Sequence, residues 1–278
     1  MRKLLTFLLI VFSLIFLSAC QAIDDYFDSF FEDSPPSQDE DDPSAISPIV
    51  DPPDSTDPVI EEDLLSLTKM IETRDVLREA NLYIETDQFR TIFGNRLSKS
   101  GTTQGSGFIF YQEGSNYYVL TNYHILVSEG LTRGQTSRIE TLSNEDYTAS
   151  LIAYDASVDL AVLRFTTNTY KGHIFDLNAR QSPPLNHEFI LATGNPQSVR
   201  HMVTYGIFIS MYTISSVDFD VIYHSAILHP GSSGGALTDI NGHILGINTW
   251  SASGSDVDNF AIPLSIIIDF LEKNGLAY

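Results

Sequence analysis

The chain has 278 residues, room for one or two domains, and with 43% hydrophobic and 18% charged residues it has the make-up of an ordinary globular core. Its formal net charge of −21 is unevenly spread: residues 21–63 hold fifteen Asp or Glu and no Lys or Arg, whereas residues 84–278 carry eighteen acids against ten bases. No basic patch could neutralise phosphates, which excludes a nucleic-acid partner, and the single cysteine, Cys20, excludes an internal disulfide framework.

The sequence begins Met-Arg-Lys and continues as a mostly apolar run from Leu4 to Ala19. That charge and length make residues 1–19 a secretory signal, shorter than the ~20 residues of a comfortable membrane span. The run ends Leu17-Ser18-Ala19-Cys20, which resembles the lipobox of bacterial lipoproteins. The resemblance implies that Cys20 becomes the mature, lipid-modified N-terminus (palmitate being a usual acyl group), anchored on the extracytoplasmic face of the bacterial cell membrane. An uncleaved signal anchor with an incidental cysteine is the alternative; in either case the rest of the chain lies outside the cytoplasmic membrane. Residues 20–63 have the composition of a disordered acidic linker, with Pro-Pro pairs and the run Asp39-Glu40-Asp41-Asp42, extended by its own charge. Tyr26, Phe27, Phe30 and Phe31 interrupt the acids and suit a headgroup interface or a partner surface. Residues 64–83 form a helical lead-in, in which Leu64, Leu67 and Ile71 share one face, with Met70 and Leu77 nearby.

From residue 84 to 278 the pattern is one domain of short strands. Phe108 and Phe110 share one strand face and Ile109 takes the other, before a hairpin turn over 113–116. Residues 118–124, Tyr-Val-Leu-Thr-Asn-Tyr-His, end a strand-like run at His124. Another run, Asp-Ala-Ser-Val-Asp-Leu-Ala-Val-Leu-Arg-Phe at 155–165, becomes apolar just after Asp159. Residues 166–186 read as a connection. Further strands are predicted at 188–193, 202–211, 220–227, 235–238, 243–249 and 259–262, followed by a helix over 264–274 that Asn274-Gly275 caps. Many short strands separated by turns favour barrels or a sandwich over a parallel sheet.

Residues 229–237, His-Pro-Gly-Ser-Ser-Gly-Gly-Ala-Leu, carry the strongest chemical signal. A serine among glycines occupies a tight turn that can expose one hydroxyl and gather several backbone N–H groups, as acyl transfer through a serine requires. Ser233 is the candidate nucleophile, and the amides of Gly231 and Ser233 are the candidate oxyanion hole. A serine hydroxyl needs a base and a group to orient that base. His124 is the candidate base and Asp159 the candidate orienter, with Asp155 a competitor for the second role. The other six histidines have no metal-ligand spacing; His229, four residues before Ser233, reads as a turn residue. No phosphate-cradling or cofactor motif is visible, so neither a metal nor a cofactor is expected.

Thr-Asn-Tyr-His, Asp-Leu-Ala-Val-Leu and Gly-Ser-Ser-Gly-Gly-Ala-Leu resemble the three catalytic blocks of trypsin-like serine proteases, and most closely the bacterial HtrA/Deg branch. Gly-Ser-Gly-Phe-Ile at 105–109, Ala-Thr-Gly-Asn-Pro at 192–196, Gly-His-Ile-Leu-Gly-Ile-Asn-Thr at 242–249 and Asn-Phe-Ala-Ile-Pro at 259–263 agree in order and approximate spacing. The resemblance covers roughly residues 90–275. It implies an all-β fold of two six-stranded barrels, flanked by an N-terminal and a C-terminal helix, with His124 and Asp159 on the first barrel and Ser233 on the second. It also implies protein or peptide substrates, among them misfolded or envelope proteins. The lead-in helix is expected to serve subunit association, as in a homotrimer, or merely to cap a barrel. Ser232 departs from the family, which more often has Asn there, and no PDZ module is expected after Tyr278. By resemblance the S1 pocket is built from Leu228, Trp250 and Ser251; none is charged, which predicts cleavage after small or medium apolar residues. Two rival readings are a glutamyl-endopeptidase-like enzyme on the same fold and a catalytically idle binding lipoprotein. Gly-Gly-Ala-Leu after Ser233 speaks against the first, and the presence of all three candidate catalytic residues against the second.

Overall fold

A helix, α1 (Pro58–Ala80), leads into β1 (Leu82–Ile92), β2 (Arg96–Glu113), β3 (Asn116–Asn122), β4 (Gly134–Glu140), β5 (Asp146–Asp155) and β6 (Leu160–Thr166). After a connection without regular structure come β7 (Phe189–Gly194), β8 (Met202–Thr213), β9 (Asp220–His224), β10 (Ala236–Asp239), β11 (Ile244–Ser251) and β12 (Asn259–Pro263), and α2 (Leu264–Lys273) follows directly. This is a computed structural model, and it describes residues 58–278 apart from 93–95, 128–133, 197–198, 216 and 252–258. The expected signal, Cys20 and the acidic linker as far as residue 57 lie outside the described residues.

The strands close into two antiparallel barrels, ordered β1-β2-β3-β6-β5-β4 and β10-β11-β12-β9-β8-β7. This is the all-β, two-barrel architecture that the resemblance implied. Closure leaves neither sheet with a free edge. Side-chain alternation then divides each wall strand between two environments. On β2, Ile109 points into the first barrel's own core, while Phe108 and Phe110 join a second apolar cluster between barrel and barrel. Leu120 and Val162 from the first barrel meet Leu191 and Ile247 from the second in that cluster, and Phe270 of α2 closes it. Phe175 of the connection stacks edge-on against Phe108, with ring centroids 5.4 Å apart. The connection is also fastened by Arg180, whose guanidinium pairs with Glu188 and, at 3.0 Å, with the buried Asp239 of β10.

The two helices are fixed by different means. α2 ends in a Schellman motif: Gly275 takes φ 64, its N–H donates to Glu272 O at 3.0 Å, and Leu276 N–H donates to Leu271 O at 3.0 Å. α1 begins upstream of Leu64, and its packed face is not the expected one. Thr73, Leu77 and Ala80 are buried, whereas Leu67 and Ile71 are exposed. The helix docks by its last turns, where Thr73 Oγ1 donates to Ile240 O at 2.7 Å beyond β10.

His224 of β9 is fully buried, and neither ring nitrogen has a hydrogen-bond partner of ordinary geometry. Burial pushes its pKa down to about 3. A histidine in the unfolded chain titrates near ~6.5, so between these values the unfolded state binds one more proton. Above that range both states hold the ring neutral and no proton linkage arises, and stability is lost progressively as pH falls through it. His224→Leu is therefore expected to flatten the pH dependence of unfolding between about pH 6 and about pH 4, by up to about 1.4 kcal/mol per pH unit. Urea titrations at several pH values check this; an unchanged slope would show that other groups set the acid sensitivity.

Candidate active site

β3 and β6 are neighbours in the first barrel, and their register places Asn122 opposite Leu160. The residues just beyond these two positions are therefore forced together. His124 lies in a single 3₁₀ turn, Tyr123–Ile125, immediately after β3, and Asp159 immediately precedes β6. Asp159 adopts φ 54, a left-handed conformation that Asp tolerates better than most residues. Its own carbonyl holds it there by accepting Tyr123 N–H at 3.2 Å and Asn122 Nδ2–H at 3.0 Å.

The Asp159 carboxylate, largely buried, is satisfied by three donors. Oδ1 accepts the His124 backbone N–H at 2.9 Å, and Oδ2 lies 2.7 Å from His124 Nδ1. Oδ2 also accepts the hydroxyl of Thr249, a β11 residue of the second barrel, at 2.9 Å. A buried carboxylate costs several kcal/mol unless paired in this way. The pairing also settles the imidazole tautomer. An ionised carboxylate only accepts, so Nδ1 carries the proton and Nε2 keeps its lone pair, on a ring that is itself half-exposed.

Ser233 arrives from the turn between β9 and β10. His229 O accepts Ser232 N–H at 2.8 Å around Pro230 and Gly231, and Gly231 takes φ 106. Pro then Gly at the centre is the sequence that a type II turn requires. Gly231 has a second reason to be glycine: an added Cβ would lie 2.3 Å from Asn195 O. Gly234, at φ 88, lies so close to β2 that a Cβ would meet Ser106 O at 2.1 Å. The departure at Ser232 is absorbed locally, since its buried hydroxyl accepts His229 N–H at 3.2 Å. The first barrel grips the turn through Ser106 N–H, which donates to Ser233 O at 2.7 Å.

Within this turn the N–H groups of Ser232, Gly234 and Gly235 all have backbone partners. Among the described residues, those of Gly231 and Ser233 have none. The Ser233 hydroxyl donates to Thr249 O at 3.1 Å. Thr249 thus touches both halves of the site, its hydroxyl on Asp159 and its carbonyl on Ser233. The Ser233 hydroxyl is thus engaged with Thr249 O rather than with the His124 ring; hydrogen bonds at such sites often tighten only with substrate present.

His124 and Asp159 are brought together as the sequence suggested. The competitor Asp155 is not at the site: it accepts from Lys273 of α2 at 2.7 Å and from the Ser157 hydroxyl at 2.6 Å. The Lys273 bond foremost, then Ser157, holds its pKa down at about 2. Of the residues expected around S1, Leu228 is packed into the second barrel's core with Ala226 and Phe208, Trp250 is half-buried and Ser251 is exposed. Sequence reasoning missed Thr249, which lay unremarked inside the block 242–249. Among the described residues, no group of three or more His, Cys, Asp or Glu is placed to hold a metal ion.

The profile of the trypsin-like peptidase domain matches residues 105–247, from the Gly-Ser-Gly block of β2 into β11, and the chain belongs to that family. Individual relatives carry narrower names. The chain is 30% identical over 229 residues to "Serine protease Do-like HtrA" of Bacillus subtilis, an alignment covering 76% of this chain and 49% of that protein. It is 32% identical over 177 residues to mouse "Serine protease HTRA4", covering 62% and 34%. It is 30% identical over 209 residues to a "Probable periplasmic serine endoprotease DegP-like" of Chlamydia trachomatis, covering 69% and 40%. The chain therefore spans between a third and a half of the length of these curated relatives. Among solved structures, the serine endoprotease from Yersinia pestis matches with a TM-score of 0.57 at 25% identity, over 74% of this chain and 66% of that one. The Rv3671c protease from M. tuberculosis, in its active form, shares the fold with a TM-score of 0.60 at 20% identity, over 74% and 85%.

These contacts separate the two aspartates experimentally. Asp159→Asn is expected to lower peptide-cleavage kcat by about 10⁴-fold, because an amide no longer selects the Nδ1-protonated ring. Asp155→Asn should leave kcat near wild type and cost at most about 1 kcal/mol of stability, the usual worth of an exposed ion pair. Steady-state kinetics on a fluorogenic peptide, with thermal melts of both variants, test the assignment; a severe Asp155→Asn would reverse it.

Proposed function

We propose that the chain is a serine endopeptidase of the HtrA branch that uses Ser233, His124 and Asp159 as a catalytic triad. The observation that carries the reading is the His124–Asp159 pair, closed by the Thr249 hydroxyl of one barrel onto the carboxylate of the other. In the proposed cycle Ser233 Oγ attacks the scissile carbonyl carbon while His124 Nε2 takes the hydroxyl proton. The carbonyl electron pair moves onto oxygen, and the unpaired N–H groups of Gly231 and Ser233 are suited to receive that charge. His124 then returns its proton to the departing amine, leaving an acyl-serine. Water, deprotonated by the same Nε2, releases the acid and regenerates Ser233. Asp159 keeps the ring in one tautomer and supports the imidazolium without taking up the proton. No step calls for a cofactor.

The uncharged character of Leu228, Trp250 and Ser251 supports a P1 preference for Val, Ala, Ile or Leu, and the relatives' names, serine protease and endoprotease, support protein substrates; misfolded or envelope proteins follow only from the resemblance in the catalytic blocks. The sequence Leu17-Ser18-Ala19-Cys20 supports lipid anchoring on the extracytoplasmic face of a bacterial membrane.

A fluorophosphonate probe is expected to label the wild-type protein and not Ser233→Ala, which should also lose peptide cleavage by about 10⁴-fold or more. In a peptide library the wild type should cut after small and medium apolar residues. Labelling that survives Ser233→Ala would remove the proposed nucleophile, and a dominant P1 Glu would favour a glutamyl-specific enzyme.

For the anchor, Cys20→Ser in the bacterial host should abolish incorporation of a labelled fatty acid and release the protein from the membrane fraction. Two acyl chains give stable attachment where one gives only marginal binding. Mass spectrometry showing an unmodified Met1 or Arg2 terminus on the mature wild-type protein would overturn the lipoprotein reading.

A further inference from the structure

The turn from His229 to Ser233 has little side-chain mass of its own to hold its shape. Glycine adopts positive and negative φ with similar ease, so covalent structure alone does not keep the Gly231 N–H on one side of the turn. Its carbonyl is fastened from outside instead. Ser106 Oγ, from β2 of the first barrel, donates to Gly231 O at 2.7 Å, and the backbone N–H of Asn195, just past β7 of the second barrel, donates to the same oxygen at 3.2 Å.

The Asn195 side chain, 1% exposed, governs the first of these bonds as well. Its Nδ2 lies 3.0 Å from Ser106 Oγ, 3.0 Å from Asn81 Oδ1 and 2.9 Å from Leu82 O. Its Oδ1 accepts the His201 backbone N–H at 2.8 Å, which fixes the orientation of the amide. An amide nitrogen can only donate, so its two protons are shared among these three oxygens and Ser106 Oγ faces it as an acceptor, while Gly231 O can only accept and takes the one Ser106 proton. Asn81 extends the arrangement to the end of α1. It is the first residue after that helix, it donates Nδ2–H to Gly194 O at 2.7 Å, and its carbonyl lies 2.8 Å from His201 Nδ1. Asn195 therefore touches the α1–β1 junction, β2 and the nucleophile turn at once, within a buried and fully paired set of polar groups.

We propose that Asn195 is a positioning residue for the Gly231 oxyanion amide, acting on the Gly231 carbonyl through its own backbone N–H and through the Ser106 hydroxyl that its side chain aligns. The assignment rests on the peptidase reading above, and it adds a residue that touches no reacting atom. Removing the side-chain amide frees the Ser106 hydroxyl to rotate and loosens the turn. The loss falls on the state in which the oxyanion has formed, because the ground-state substrate makes less use of that amide.

The test compares full-length wild type, Ser233→Ala, Asn195→Ala and Ser106→Ala at a temperature where circular dichroism shows each to be folded. Two quantities are read: the rate of phosphonylation by a fluorophosphonate, whose phosphoryl oxygen takes the oxyanion position, and kcat and KM on a fluorogenic peptide, normalised by active-site titration. Asn195→Ala and Ser106→Ala are expected to lower both kcat and the phosphonylation rate about 10- to 100-fold, with KM nearly unchanged. A merely structural role would lower the melting temperature and the titratable fraction while leaving kcat per titrated site at the wild-type value, and that result overturns the proposal. Should Asn195→Ala not fold, Ser106→Ala, which removes a single hydroxyl, decides alone: wild-type kcat rejects the assignment. Wild-type protein that fails to react at Ser233 overturns the peptidase reading and the assignment together, whereas a reactive wild type with equally reactive variants overturns the assignment only.

Discussion

The carboxylate of Asp159 is the constraint around which the site is arranged. It is buried between two barrels, and a charge in that position persists only if donors surround it. Those donors are the His124 backbone, the His124 ring and the Thr249 hydroxyl, so satisfying one charge fixes an imidazole tautomer and couples the first barrel to β11 of the second. Thr249 then passes the coupling to Ser233 through its carbonyl. In the proposed triad electrostatic necessity and catalytic geometry coincide. The contacts that make the carboxylate tolerable are those that leave Nε2 as the free base.

The second requirement is a backbone shape rather than a charge. A turn of small residues can bring its amides to one point only if neighbouring chain approaches very closely. The first barrel supplies one approach, through Ser106 N–H to Ser233 O and the Ser106 hydroxyl to Gly231 O. The second barrel supplies the other, through Asn195. Side chains at 231 or 234 would collide with these backbones at separations of 2.3 and 2.1 Å, so the glycines of the motif are demanded by packing as much as by φ. Chemistry at the site therefore depends on both barrels being closed and docked.

Much of this was legible in the sequence because both faces of certain strands are buried. Leu160–Leu163 is apolar throughout since one face fills the first barrel and the other the inter-barrel cluster. β1 and β4 were less visible: Thr86, Gln88 and Ser137 are buried inside the first barrel, where Thr86 and Ser137 pair hydroxyl to hydroxyl at 3.0 Å, so burial there leaves no hydrophobic period. α1 misled in the opposite sense, its apolar Leu67 and Ile71 standing exposed while Thr73 is buried. His124, Asp159 and Ser233 could be nominated from local context, but what occupies the competitor Asp155 could not: its partner Lys273 lies 118 residues away in sequence. Thr249, Ser106 and Asn195 carry no signal of their own. Their roles arise from backbone atoms they meet across barrel boundaries, which residue type does not encode.

The proposed triad is tested most directly by a crystal structure of the full-length protein after reaction with a peptidyl boronic acid. The expected result is a bond from boron to Ser233 Oγ, one boronate oxygen at about 2.7–3.1 Å from the N–H groups of both Gly231 and Ser233, and His124 Nε2 within hydrogen-bond reach of the adduct. An adduct on any other residue, or a boronate oxygen turned to solvent with the Gly231 N–H pointing away, would contradict it.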